Sequence, residues 1–153
     1  MANNYTLFSE VITGFTAEEK AWVMALTDDP ESDPPDLVAA GIATKEIDSD
    51  DWPGFEWELT EPAGELWIHS EECGNVVHAA QFVRAFLARF RPKASWQMTW
   101  AEICSKPRTG EFGGGAVFVT ALSVRLFTAH DWTAQQLKKF ERSGRLGGSG
   151  ARS

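Results

Sequence analysis

The sequence predicts an α+β domain of two layers, a roughly four-stranded antiparallel sheet with helices on one face. Three observations carry this. Residues 55–59 and 95–104 alternate apolar and polar side chains, and each is followed, across a turn or a Gly-rich loop, by an apolar segment able to pair with it, 66–69 and 116–122. Between the two pairs lies an amphipathic helix at 76–90, and a helix-capping sequence precedes the first hairpin. At 153 residues, with 43% apolar and 24% charged side chains, the chain reads as one soluble domain over 1–142. A domain of this size buries about 68–70% of its unfolded surface.

The elements follow in order. Residues 5–12 (Tyr5, Leu7, Phe8, Val11, Ile12) form an apolar-leaning short strand. Thr16-Ala17-Glu18-Glu19 is a capping box, in which hydroxyl and carboxylate satisfy the free N–H groups of a helix start. The helix runs to about Thr27 and buries Trp22, Val23 and Leu26. Asp28 to Asp36 holds five acids and three prolines, which exclude helix and sheet and leave a solvated loop. A short helical turn is expected over 37–43, then an acidic stretch of Glu46, Asp48, Asp50 and Asp51. Phe55-Glu56-Trp57-Glu58-Leu59 alternates, Glu61 to Gly64 turns the chain, and Leu66 to His69 returns it as a hairpin.

Asn75 caps the helix 76–90, whose apolar side chains cover one broad face and leave a narrow polar stripe of His78, Gln81, Arg84 and Arg89. Pro92 ends it. Residues 95–104 place Trp96, Met98 and Trp100 on one face, residues 116–122 supply a partner strand, and 105–115 form the loop between them. A final helix starts at Asp131 or Thr133 and ends near Arg142. Seven of the last eleven residues, 143–153, are Gly or Ser, a composition that reads as a flexible tail.

The formal charge of −8 conceals a division. Residues 1–81 carry 18 acids against Lys20 and Lys45, a balance of −16; residues 82–153 carry 12 Lys and Arg against four acids, a balance of +8. The acidic average argues against a whole-surface attraction to nucleic acid or anionic lipid. No run reaches the length of a membrane helix and no secretion signal is read, so a cytoplasmic location with reduced Cys73 and Cys104 is expected.

The stretch Trp100-Ala-Glu-Ile-Cys-Ser-Lys-Pro-Arg-Thr-Gly-Glu-Phe-Gly-Gly-Gly-Ala-Val-Phe-Val-Thr120 resembles small acidic proteins of bacterial plasmids and phages that carry no assigned activity. The resemblance spans about residues 65–122. It implies a mobile-element accessory protein, a class in which inhibitors of host defence are common, and it supplies no catalytic residue.

The favoured reading is a non-enzymatic protein-binding module without cofactor or metal. Asp50, Asp51, Glu56 and Glu58 would engage a basic partner surface, imitating the phosphates of a nucleic acid, with Trp52 and Trp57 as anchors. The competing view of these acids is a solvated surface that maintains solubility. A second class is a small-ligand binder or enzyme. It would use Cys73 before a helix N-terminus with His78, and Lys106 and Arg108 beside a glycine run able to present amides to an anion. A third is a single-strand nucleic-acid binder over 84–108, where cations interleave with Trp96 and Trp100. An oligomer joining acidic to basic faces also follows from the charge division.

Overall fold

Each of the first two long helices begins where its capping residues place it. In the computed structural model, which describes residues 2–27, 36–42, 44–60 and 64–146, the Thr16 amide donates to Glu19 Oε1 (2.8 Å) and the Glu19 amide to Thr16 Oγ1 (3.2 Å). This reciprocal pair opens α1 (Ala17–Thr27). Asn75 Oδ1 accepts the His78 amide at 3.0 Å and opens α2 (Val76–Phe90), which stops short of Pro92. The expected helical turn at 37–43 is a run of turns over 37–41 instead, followed by 3-10 turns at Thr44–Glu46 and Ser49–Asp51. Apart from Asp36, the acidic loop 28–36 lies outside the described residues, as do turn residues 61–63.

The sheet has six strands, not four. In order across the sheet they are β2 (Glu56–Thr60), β3 (Glu65–Ser70), β1 (Asn4–Ile12), β4 (Ser95–Cys104), β5 (Gly113–Thr120) and β6 (Val124–Thr128), with every neighbouring pair antiparallel. Both expected hairpins form. The apolar N-terminal segment lies inside the sheet, with Phe8 opposite Ser70 on one side and Trp100 on the other. At the far edge, a tight turn in which Thr120 Oγ1 accepts the Leu122 and Ser123 amides returns the chain as β6. The strand runs directly into α3 (Ala129–Leu146). The final helix therefore begins earlier and ends later than its sequence limits, taking in Ser143 and Gly144; residues 147–153 lie outside the described residues. The order has a further property: the acidic half of the chain builds β2, β3 and β1, and the basic half builds β4, β5 and β6.

Register assigns the faces. Phe8, Leu66, Ile68, Trp96, Met98, Val117 and Val119 point toward α2 and are buried; Ser9, Glu56, Glu58, Gln97, Thr99, Phe118 and Phe127 occupy the opposite, exposed face. α2 buries Ala79, Ala80, Phe82, Val83, Phe86 and Leu87 almost completely, each large side chain contributing about 1.5–3 kcal/mol. Its narrow polar stripe has a physical reason. Ala85 packs with Leu26, Leu37, Ile42 and Ile47 in a second cluster, so the helix is covered on the side away from the sheet as well. His78 and Gln81, expected at its surface, are therefore buried.

The glycine run is sheet, which corrects the loop expected through residue 115. Gly114 has φ 139°, where side-chain-bearing residues are rare. A Cβ at Gly115 would strike the Phe127 carbonyl and the Trp100 indole. Without side chains here, β4 and β6 can close on β5 over the half-buried Trp100 ring.

Candidate functional site

The acids come together through two backbone constraints. Register in the β2–β3 hairpin sets Glu56 opposite His69 and Glu58 opposite Trp67, all on the uncovered face. His69 stacks on Trp67 (ring centroids 3.7 Å, 19° between planes), and its Nδ1 lies 3.2 Å from Glu56 Oε2 without forming an aligned hydrogen bond. Beyond β3 the chain turns along β1: Cys73 bridges Thr6, and the Thr6 amide donates to the Glu72 carbonyl at 2.6 Å. This carries Glu71 and Glu72 round to the start of β2.

The second constraint is His78. Its ring is 1% exposed, Nε2 accepts the Asp48 amide (3.0 Å) and Nδ1–H donates to the Pro53 carbonyl (3.1 Å). Acceptance at Nε2 fixes the proton on Nδ1. The Asn75 amide donates to the Gly54 carbonyl at 2.7 Å, and Asp48 Oδ1 accepts the Asp50 amide at 3.0 Å. Segment 48–54 is thereby clamped to the start of α2 at both ends, with Asp50 and Asp51 outward and exposed. Asp51, Glu56, Glu71 and Glu72 line one cleft of about 390 Å³ together with Ser70 and Cys73, and no Lys or Arg lines it.

Trp52 and Trp57 are half-buried beside this cleft. Their indole N–H groups donate to the carbonyls of Leu26 (2.7 Å) and Thr27 (3.0 Å), which the end of α1 leaves unpaired. Trp52 also lies against the rings of Phe55, His78 and Phe82. Both indoles hold the acid-bearing segments on the domain.

The candidate Cys73–His78 pair lacks a free base in the structure: Cys73 is exposed, while His78 is buried with both ring nitrogens spent on backbone groups. A histidine held in this way offers no lone pair as a general base. Cys104 is the buried cysteine. Lys106 and Arg108 are exposed on the 105–112 loop, but Gly113, Gly114 and Gly115 pair within β5 and present no concave set of amides beside them. Among the described residues no group of three His, Cys, Asp or Glu is placed to hold a metal ion.

Within the basic stretch 84–108, Arg84, Arg91 and Trp96 take structural roles, while Arg89, Lys93, Lys106 and Arg108 are exposed. Arg84 donates to Gln81 Oε1 (2.7 Å) and the Gly41 carbonyl (2.6 Å), while Gln81 donates to Glu46 (2.7 Å). Arg91 pairs with the buried Glu19 at 2.9 Å. Trp96 is buried, its N–H donating to the Val11 carbonyl, so its ring is closed to a nucleic-acid base. No helix among the described residues is long and apolar enough to cross a membrane. Comparison with protein-family models, with curated proteins and with solved structures finds no match to this chain.

Proposed function

We propose that the protein is a non-enzymatic binding module whose acid-lined end engages a basic surface on a partner protein. The observation that supports this reading is the convergence of Asp51, Glu56, Glu71 and Glu72 on a single cleft from two separate chain segments, 51–56 and 70–74. Glu58 extends it along β2, and Asp50 flanks it on the 3-10 turn. A preorganised array of carboxylates accelerates encounter with a cationic surface and rejects anionic ones. The carboxylates make the contact in this reading, while Trp52 and Trp57 fix their platform. The finer reading, an inhibitor from a mobile element that occupies a phosphate-binding surface of a host nucleic-acid-handling or defence protein, rests on the resemblance of residues 65–122 and on this spacing of carboxylates.

The test compares wild type with the triple reversal Glu56→Lys, Glu71→Lys, Glu72→Lys, all at exposed positions, in capture from bacterial lysate at low and high salt. Wild type should retain a basic protein that is released as salt rises and is missing from the triple variant. Identical captured sets from the two proteins would overturn the proposal.

A further inference from the structure

The two edges of the sheet are finished differently. β2 exposes Glu56 and Glu58 along its outer face, and charges on an edge strand discourage pairing with another chain. β6, the other edge, carries Arg125 as its single charge and leaves Leu126 and Phe127 about half exposed (50% and 51%). Without an intervening residue it becomes α3, whose Trp132, Leu137 and Phe140 are 50%, 57% and 62% exposed.

An 18-residue helix is marginal in water on its own, and packing of an apolar stripe normally stabilises it. On the helical repeat, Ala129, Trp132, Gln136, Leu137, Phe140 and Gly144 fall on one side and Asp131, Lys138 and Arg142 on the other. The stripe is thus complete, free of charge at its centre and uncovered.

We infer that a second copy of this chain covers it, docking antiparallel on α3 and the adjoining β6 edge about a two-fold axis at Gln136. The spacing suits itself: Trp132 and Phe140 lie four residues either side of Gln136. An antiparallel crossing there sets Trp132 of each copy against Phe140 of the other, the reciprocal contact that a two-fold interface requires. Antiparallel helices also oppose their dipoles favourably. The area is sufficient. Half-exposed large apolar side chains offer about 100 Å² each. Leu126, which shares the α2 face of β6, and Trp132, Leu137 and Phe140 of α3 therefore supply about 800 Å² for the pair, and backbone and polar rim bring this to about 1,000 Å², the lower end of specific interfaces. The inference is independent of the acidic cleft, which lies toward the opposite edge.

The full chain should sediment as a dimer that dissociates on dilution over about 1–200 µM. The double variant Trp132→Glu, Phe140→Glu alters only exposed positions and should weaken association by at least about 100-fold with an unchanged far-ultraviolet circular dichroism spectrum. In a Cys73→Ser background, Gln136→Cys should cross-link to itself on mild oxidation, whereas Lys138→Cys, on the polar side, should not. A monomer throughout the concentration range, or equal cross-linking from both cysteine positions, overturns the inference.

Discussion

Replacing His78 with Ala is the sharpest test of how the cleft is held. The substitution removes a side chain 1% exposed, orphaning the Asp48 amide and the Pro53 carbonyl and leaving a void beside Trp52. Each orphaned group, part-buried against the ring, costs up to about 1–3 kcal/mol, and the void adds a further cost. A total of about 3–5 kcal/mol is expected, a large share of the roughly 5–15 kcal/mol that stabilises a domain. Guanidinium denaturation reads the total through the midpoint. Amide hydrogen exchange supplies the spatial part, because Asp48 should lose protection while residues in β4 and β5 change only with global stability. His78→Gln retains an amide able to meet one of the two backbone groups and should recover part of the loss. A penalty below about 1 kcal/mol, or an Asp48 amide as protected as in wild type, would refute the clamp.

Further outcomes follow from other contacts. Burial pushes the Glu19 carboxyl up, but hydrogen bonds from Arg91 and Thr16 and the Arg91 charge outweigh it and hold the group below its ordinary value. A lowered folded-state pKa confers stability that is present above about 4.5 and lost as pH falls through the folded value. Glu19→Gln should therefore destabilise at pH 7, by about 1.5–3 kcal/mol, and flatten the acid limb of a denaturation series. Gly115→Ala should lower the thermal midpoint more than any exposed substitution on β5, because its Cβ meets the Phe127 carbonyl and the Trp100 ring. Titration with a thiol reagent should find one reactive cysteine in the native protein, exposed Cys73, and two after unfolding, when buried Cys104 is released.

Much of the architecture was legible where local chemistry alone decides it. The Thr16 box and the Asn75 cap set helix starts through bonds to backbone groups three residues away, and period-two alternation marked the first strand of each hairpin, 55–59 and 95–104. β6 escaped because five residues with Leu126 and Phe127 adjacent show no alternation and merge into a helix. His78 was misplaced for a different reason: helical spacing identifies the side turned from the sheet, but only the tertiary fold brings segment 48–54 over it. The glycine run resembled a loop because its purpose is the absence of side chains between Trp100 and β6. In the cleft, the acid types were readable, but their convergence depends on Glu56 pairing with His69 and on the turn beyond Ser70.

The strand order carries a consequence for motion in an electric field. Because Glu56 and Glu58 lie on one edge strand and Arg125 on the other, with Lys138, Lys139 and Arg142 on the helix that follows it, these opposite charges are separated across six strands, about 24 Å at the usual interstrand spacing. The molecule therefore has a permanent dipole moment in the plane of its sheet in addition to its net charge. Near a cationic surface the resulting torque rotates the acidic edge forward before any side chain touches, so orientation is selected during diffusion. Transient electric birefringence measures this moment directly in the monomer. A two-fold pair joined at β6 would set the in-plane moments in opposition and leave an acidic edge at each end.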